Sequence, residues 1–252
     1  MEGSNRHLDI IEQLRTTERV TVAELAARTG CSEMTIRRDL DQLAEQGVLR
    51  RVRGGAVSLM LRGEAPPFAV REHEAADIKR RIGAKVNELV ADGESVILDS
   101  GTTALHVAHA LAHRRITAIP LDLHSVNALS GAPDVRLLVP GGQMLPGTLS
   151  LAGYLTENAL RALRVDTAIL AVCGLSARHG LTAPDLAEVP IKQTALAAAQ
   201  RKIAVCDGSK FSRTGLGHVC SVTELDAIVT DDSAPPGELE KIEAAGVTVI
   251  LV

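Results

Sequence analysis

Seven short apolar segments recur along the second part of the chain, separated by stretches with helical spacing. They are SVILD, ITAIP, VRLLV, DTAILAV, KIAVC, DAIVT and VTVIL, and they run from Ser95 to Leu251. Strands that are apolar on both faces are typical of a parallel sheet with helices packed against each side. The alternation therefore predicts a large α/β domain. In such domains ligands bind at the carboxyl ends of the strands.

The residues before this domain follow a helical pattern. Apolar residues recur at helical spacing over 8–14 and over 22–26, which predicts two short amphipathic helices, the second ending at Gly30. Ser32 is suited to cap a third helix over about 32–45, because its hydroxyl can accept a hydrogen bond from the first turn. Three helices in this order favour a helix-turn-helix.

The third helix carries the residues suited to reading DNA. With its apolar stripe turned inward, Thr35, Arg37 and Arg38 lie on or beside the outward face near the helix start. A helix-turn-helix inserts this part of its recognition helix into the major groove. The arginine fork pairs with guanine O6 and N7, and a threonine hydroxyl can bond a base or a phosphate.

An arginine-rich segment follows the third helix. VLRRVRGGAVSL predicts two short strands joined at Gly54–Gly55, where a positive φ costs least. Such a hairpin is a wing, and Arg50, Arg51 and Arg53 would meet phosphates or the minor groove. The alternative at this point is a small helical bundle with a solvated charged hairpin.

The amino-acid composition limits the kinds of nucleic acid that the chain can bind and the environment in which it works. Aromatic residues make up only 1% of the chain, so stacking of single-stranded bases is nearly excluded and any DNA bound is duplex. The net charge is −4, so the basic signal comes from the placement of the arginines. The four cysteines form no CxxC pair and no long apolar run occurs, which favours a soluble, cytoplasmic protein without a membrane span.

A chain of 252 residues is expected to form two domains. The segment 61–76 mixes glycine, a proline pair and charge, as linkers do. We therefore expect a winged helix-turn-helix at 1–60, a linker at 61–76 and the α/β domain at 77–252.

The end of the first predicted α/β strand suits a phosphate. Asp99 leads into Ser100, Gly101, Thr102 and Thr103 just before a helix. The glycine admits close approach of the backbone, and the helix N-terminus and the hydroxyls supply donors. Serine and threonine are also ordinary helix caps, so a purely structural role stays open.

The string from Glu24 to Ala56 resembles the N-terminal signature of the DeoR family of bacterial repressors, a Ser–x–x–Thr–Ile–Arg–Arg–Asp–Leu helix followed by an arginine-containing wing and Gly–Gly–Ala. The matching residues are Ser32, Thr35, Ile36, Arg37, Arg38, Asp39 and Leu40, then Gly47, Leu49, Arg53, Gly54, Gly55 and Ala56. The expected DNA-binding residues are Ser32, Thr35, Arg37, Arg38, Arg50, Arg51, Arg53, Gly54 and Gly55. Asp39 would repel phosphate, so we interpret it as orienting an arginine.

The resemblance extends from about Leu8 to Val252. It implies an effector domain similar to the sugar-phosphate isomerase and coenzyme A transferase fold, with the phosphate loop at Asp99–Thr103. The residues implied to bind or respond to the effector are Arg71, Lys79, Asp99, Ser100, Gly101, Thr102, Thr103, Gly141, Gly142, Lys192, Asp207 and Lys210. The implied function is repression of a sugar or carbohydrate catabolic operon, controlled by a phosphorylated sugar or related metabolite. A homo-oligomer is expected, since one winged helix gives little duplex affinity.

Two segments depart from the family pattern. Ala171–Gly174 stands where Gly–Ala–Asp–Gly is frequent, and Asp122–Ser125 stands where Thr–Asn–Ser is common. Either the ligand differs from the commonest sugar phosphates or these are packing substitutions, and both interpretations stay open.

Two rival functions remain. A DNA-tethered sugar-phosphate isomerase would need a carboxylate base, but the strand end that would supply it reads Ala–Val–Cys–Gly. A metal sensor could use His106, His109 and His113, although these share the face of a helix opposite its buried one. We expect no catalytic residue, no metal and no cofactor.

Overall fold

The computed structural model describes residues 3–17, 19–45, 48–58 and 68–252, and the chain folds as two units, Met1–Glu74 and Ala75–Val252. The first unit contains helices α1 (Gly3–Thr17), α2 (Val22–Thr29), α3 (Glu33–Glu45) and α4 (Phe68–His73). Its strands are β1 (Arg19–Thr21), β2 (Leu49–Val52) and β3 (Gly55–Ser58), which form an antiparallel sheet in the order β1-β3-β2. The predicted winged helix-turn-helix is confirmed.

Local sequence signals set the helix ends of this unit. The Thr21 hydroxyl accepts a hydrogen bond from the Glu24 N–H, and the Glu24 carboxylate accepts one from the Thr21 N–H, so a capping box starts α2. Gly30 ends α2 in the left-handed conformation, with φ +69°. The Ser32 hydroxyl accepts from the Thr35 N–H at 3.1 Å and so caps α3 as expected.

The wing turn lies one residue earlier than predicted. Val52 pairs with Gly55, so the two turn residues are Arg53 and Gly54, and only Gly54 has a positive φ, at +78°. Gly55 is required for a different reason: a Cβ there would lie 2.1 Å from the Val20 carbonyl oxygen of the adjoining strand. The prediction of a positive φ was therefore correct for Gly54, whereas close packing against the backbone of Val20 explains the glycine at position 55.

The predicted linker, 61–76, contains ordered structure in its second half. Residues 61–67 lie outside the described part of the chain. Residues 68–73 form α4, whose Val70 is buried in the same core as Ile10 and Leu14 of α1. Helix α5 then begins at Ala76.

The second unit is built on a parallel sheet. Its helices are α5 (Ala76–Leu89), α6 (Thr102–Leu111), α7 (Leu123–Leu129), α8 (Tyr154–Arg161), α9 (Val189–Ala198) and α10 (Pro236–Ala244), with short 3-10 turns at Gly208–Ser212 and Val222–Glu224. The sheet comprises β4 (Ser95–Leu98), β5 (Thr117–Pro120), β6 (Arg136–Leu137), β9 (Val165–Ala171), β12 (Ala199–Val205), β14 (Ala227–Thr230) and β15 (Thr248–Leu251). The order is β15-β14-β12-β9-β4-β5-β6, and all neighbours are parallel. Each of the seven predicted apolar segments supplies one strand.

Alternate residues of each central strand enter different cores. Val96 and Leu98 of β4 pack in the core that contains Ile82 of α5 and Val107 of α6. Ile97, between them, packs in the core that contains Leu160 of α8 and Ile191 of α9. Because both faces of the sheet are covered, its central strands contain runs of consecutive apolar residues, as the sequence pattern indicated.

The smaller sheets were not predicted. Strands β10 (Gly174–Ser176), β11 (Gly180–Ala183) and β13 (Gly217–Cys220) form an antiparallel sheet in that order, and β7 (Gln143–Met144) pairs with β8 (Leu151–Ala152). These strands have two to four residues, too few for a hydrophobic period to be visible. Within the described ranges no helix combines the length and apolar character that crossing a bilayer requires.

Candidate functional site

The outward face of α3 presents the predicted DNA-reading residues. Ile36, Leu40 and Leu43 are fully buried, whereas Arg37 and Arg38 are exposed and Thr35 is half-buried. Arg37 donates to Glu33 at 2.9 Å in an exposed i,i+4 ion pair. The Arg38 side chain makes no hydrogen bond or ion pair with any residue that the structure describes. The guanidinium of Arg38 is therefore available to a ligand without breaking an internal contact.

Asp39 is buried behind this face and holds α1 to α3. Its carboxylate accepts from Arg6 Nε at 2.5 Å and from Arg6 Nη2 at 3.0 Å, and His7 Nε2 lies 3.3 Å away. The interpretation that Asp39 orients an arginine holds, but the arginine is Arg6 of α1. The sequence offered no signal for a partner 33 residues away.

The wing arginines differ in what they contact. Arg51 donates to Asp41 of α3 at 2.8 Å and to the Gly55 carbonyl at 2.9 Å, so it ties the wing to the recognition helix. Arg50 and Arg53 are exposed and have no such contact among the described residues. Three acidic residues of α3 are thus each paired with an arginine, namely Glu33, Asp39 and Asp41. These pairs reduce the repulsion that phosphate would otherwise meet.

In the second unit an aspartate follows four of five adjacent strands within two residues of the carboxyl end. These are Asp99 after β4, Asp122 after β5, Asp207 after β12 and Asp231 after β14, and all four are buried. Each carboxylate accepts a backbone N–H: from Ala171 at 3.0 Å, Ser125 at 2.7 Å, Ser209 at 3.1 Å and Gly208 at 2.7 Å, respectively. The aspartates therefore fix the loops at the edge where ligands of this fold class bind.

The loop after β4 has the geometry of an anion site. Gly101 lies at φ +126° and precedes the first turn of α6, whose N–H groups have no partner within the helix. Ser100, Thr102 and Thr103 are each at least nine-tenths buried. Within the described part of the chain their hydroxyls make no hydrogen bond. Hydroxyls that are not engaged by the protein and lie beside a helix N-terminus are suited to bind an anionic ligand.

An enclosed ion pair lies beside this loop. Lys192 of α9 donates to the Asp99 carboxylate and, at 3.3 Å, to the Ala171 carbonyl. Burial alone would lower the pKa of Lys192, but the charges of Asp99 and Glu188 outweigh it and raise the pKa above its ordinary value. Lys192 is therefore an ammonium ion at neutral pH. Its charge compensates Asp99 and is too deep to reach solvent directly.

Asp122 is a residue of the site that sequence reasoning treated only as a departure from the family. Its carboxylate accepts from the Ser125 N–H and hydroxyl, at 2.7 Å and 3.1 Å, and the nearby Gly101 N–H helps to lower its pKa. Burial raises the pKa of Asp122, and these hydrogen bonds oppose the shift. Asp122 thus lies between α7 and the Ser100–Thr103 loop. Its position after a strand was the one signal that could have identified it.

A second cluster brings together Lys79, Asp207 and Lys210, three of the residues implied to bind or respond to the effector. Lys210 lies 3.4 Å from Asp207, and the buried Lys79 of α5 contributes positive charge to the same carboxylate. Burial pushes the pKa of Asp207 upward, but Lys210, the Ser209 hydrogen bonds and Lys79 outweigh it, so the pKa lies below its usual value. Arg71, another residue of that set, belongs to the first unit, where it lies over the Phe68 ring at 5.9 Å.

The glycine pair Gly141–Gly142 has a structural explanation. Both have positive φ, and a Cβ on Gly142 would lie 1.9 Å from Thr156 Oγ1. The Thr156 hydroxyl donates to the Gly141 carbonyl at 2.7 Å, which holds the loop against α8.

The histidines of the metal-sensor alternative differ in exposure. His109 and His113 are exposed, and His106 is half-buried. Over the described ranges, no group of three or more His, Cys, Asp or Glu side chains is arranged to hold a metal ion.

Comparisons with known proteins agree for both units. Residues 6–60 match the model of the DeoR-like helix-turn-helix domain, and residues 74–232 match that of the DeoR C terminal sensor domain. The putative aga operon transcriptional repressor of Escherichia coli O157:H7 is 33% identical over 252 residues, covering 99% of this chain and 94% of that protein. The glycerol-3-phosphate regulon repressor of Escherichia coli K12 is 32% identical over 237 residues, covering 94% and 93%.

Among solved structures, ribose 5-phosphate isomerase A from Methanocaldococcus jannaschii matches with a TM-score of 0.40 and 16% identity over 54% of each chain, a likeness too distant to carry a conclusion about function. The two family models follow one another along the chain, and the two curated proteins above are named as transcriptional repressors. The chain therefore belongs to the DeoR family of transcriptional regulators.

Proposed function

We propose that this regulator represses sugar-related genes by binding duplex operator DNA, and that a small phosphorylated metabolite bound at the Ser100–Thr103 loop controls that binding. The similar repressors named above concern the aga operon and the glycerol-3-phosphate regulon, which supports a sugar-related target. We expect the protein to act in the cytoplasm, where its operator lies.

The observation that carries the proposal is the loop itself. The hydroxyls of Ser100, Thr102 and Thr103 have no hydrogen-bond partner among the described residues, and they lie at the start of α6, where the helix dipole favours negative charge. A phosphate supplies the acceptors that the hydroxyls and N–H groups lack. Lys192 offsets the charge of the neighbouring Asp99, so a second anion is tolerated there.

On the DNA side, the contacts of the arginines divide their roles. Arg38 is the base reader that the geometry supports best, because Arg37 is held by Glu33. Arg50 and Arg53 hold phosphates, whereas Arg51 supports the wing from within. Ser32 and Thr35 share a hydrogen bond at 2.9 Å and contact the backbone of the DNA near the helix start. Two copies of the chain bind two half-sites, as one winged helix gives little affinity.

A thermal-shift screen of the full chain tests the metabolite half of the proposal. Phosphorylated sugars are compared with the same sugars lacking the phosphate. A ligand at one hundred times its Kd adds roughly 2.7 kcal/mol to the free energy of unfolding. Stabilisation by phosphorylated compounds alone is the expected result. Equal stabilisation by both forms, or by neither across the panel, would contradict the proposed ligand class.

A further inference from the structure

Met34 is an apolar side chain in an unusual place. It is the second residue of α3 and is 76% exposed, while Ile36, Leu40 and Leu43 of the same helix are fully buried. Among the described residues of the first unit, it is the one large hydrophobic side chain that is exposed. It adds nothing to the core, so its role lies at the surface.

The neighbours of Met34 define that surface. Met34 and Arg38 are separated by one helical turn and lie on the side of α3 opposite the buried stripe. Together with Thr35 and Gln42 they line a groove of about 640 Å³. The lining also includes Asp39 and Asp41, which are paired with Arg6 and Arg51. The groove is therefore apolar at Met34, and Arg38 is a cation of its lining that makes no ion pair among the described residues.

Duplex DNA offers one apolar group at a base edge in the major groove, the C5-methyl group of thymine. The N-terminal residues of a recognition helix are the ones that reach base edges. Methionine is unbranched and polarisable and adapts its shape to a small apolar partner. Met34 also occupies one of the two positions that the Ser–x–x–Thr motif leaves open, so it can differ between regulators that share the rest of the helix.

We propose that Met34 packs against the C5-methyl group of a thymine in the major groove and so specifies thymine at one position beside the base pair read by Arg38. This inference rests on the proposed binding of operator DNA by α3. A methyl group removed from a buried contact corresponds to about a four-fold loss of affinity, which sets the size of the expected effect.

The test removes that methyl group and nothing else. Duplexes are selected from a random-sequence library with the full chain, and each thymine of the enriched duplex is replaced singly by deoxyuridine, which keeps the base pair. Affinities are measured by fluorescence anisotropy for wild type, Met34→Ala and Met34→Leu. Leu216→Ala is the control, because Leu216 is 81% exposed but lies in the second unit.

At one thymine of each half-site, replacement by deoxyuridine should lower the DNA affinity of the wild type about four-fold. The same replacement should leave the affinity of Met34→Ala nearly unchanged, so that the effects of the base change and the residue change are not additive. Met34→Leu should retain sensitivity to the methyl group, and Leu216→Ala should reproduce the wild-type pattern. Equal losses for wild type and Met34→Ala at every thymine would overturn the inference. So would unchanged DNA affinity of Met34→Ala with a reduced oligomer size, which would place Met34 in self-association. If wild type enriches no duplex, the DNA-binding function fails and this inference fails with it.

Discussion

Lys192 and Asp99 form an ion pair in which each side chain is only 2% exposed. The pair joins α9 to the end of β4, at the base of the Ser100–Thr103 loop. Two opposite charges removed from water are tolerated only together, because either one alone would keep its desolvation cost without its attraction. The loop proposed to bind phosphate therefore rests on a pair that holds its local charge near zero.

Breaking this pair should destabilise the protein strongly. Lys192→Met leaves Asp99 buried without its partner and is expected to lower the free energy of unfolding by about 3–5 kcal/mol. The control is Lys85→Met, since Lys85 pairs with Glu88 at 2.7 Å on the surface and such pairs contribute about 1 kcal/mol or less. Urea denaturation measures both. A loss for Lys192→Met no larger than that of the control would show that the pair is not enclosed in solution.

The proposed DNA-binding surface predicts that single arginine substitutions change DNA affinity and specificity in different ways. Arg38→Ala should cost about 1–3 kcal/mol on a selected duplex and relax specificity, because a base contact is lost. Arg53→Ala should weaken binding to all duplexes and reduce the salt dependence by the equivalent of about one phosphate contact. Arg115→Ala, an exposed change in the second unit, serves as the control. If the Arg37→Ala/Arg38→Ala double variant binds the selected duplex like wild type, α3 does not read DNA.

The cluster around Asp207 should govern the response to the effector. Lys210→Gln removes the cation 3.4 Å from Asp207 and is expected to keep DNA affinity while raising the effector concentration needed for half-maximal response. Lys79→Gln should act in the same direction. Lys241→Gln on α10, which breaks a surface pair with Glu238 at 2.9 Å, is the matched control. Dose–response curves that coincide for all four proteins would leave these lysines with a structural role alone.

The hydrogen bonds of Asp166 should make the free energy of unfolding depend on pH in the acidic range. Its carboxylate accepts from the Ser95 N–H at 2.8 Å and the Ser95 hydroxyl at 2.6 Å, and these bonds hold the pKa of Asp166 below its ordinary value of 3.8. Because the folded-state pKa is depressed, the stabilisation is complete above the unfolded-state pKa and is lost as the pH falls through the folded-state pKa. Asp166→Asn should therefore destabilise at pH 6–7, and its difference from wild type should shrink below about pH 4. A difference that is constant from pH 7 to pH 3 would contradict this origin.

Much of the fold was predictable because it depends on local patterns. Apolar runs identified every strand of the large sheet, and Ser32 and Gly30 correctly marked helix ends. Short antiparallel strands such as β10 and β11 were missed because three or four residues are too few to show a hydrophobic period. Gly55 was assigned to the turn because sequence alone does not show that the Val20 carbonyl lies against it.

The candidate sites were predictable in their location but not in their internal contacts. The motif around Arg37 and Arg38 indicated the DNA-reading helix. Only the structure shows that Arg37 forms an ion pair with Glu33, whereas the Arg38 side chain is available to contact DNA. Asp122 has no motif of its own. Its place near the Gly101 N–H arises because β4 and β5 are neighbours in the sheet, which depends on long-range topology.

Control of DNA binding through the Ser100–Thr103 loop is the central claim, and a titration of the full chain onto a selected duplex tests it most directly. Fluorescence anisotropy is recorded with and without a phosphorylated sugar that stabilises the wild type, for wild type, Gly101→Val and Thr102→Val. The valine at Gly101 places a branched side chain at φ +126°, and Thr102→Val removes one hydroxyl while keeping the shape. Melting curves establish that each variant is folded.

The sugar should change the DNA affinity of wild type, and the duplex should change the affinity for the sugar by the same factor. Both variants are predicted to bind the duplex like wild type, with the response to the sugar abolished in Gly101→Val and weakened in Thr102→Val. A folded Gly101→Val protein that responds at the wild-type sugar concentration would contradict the account and place the effector elsewhere.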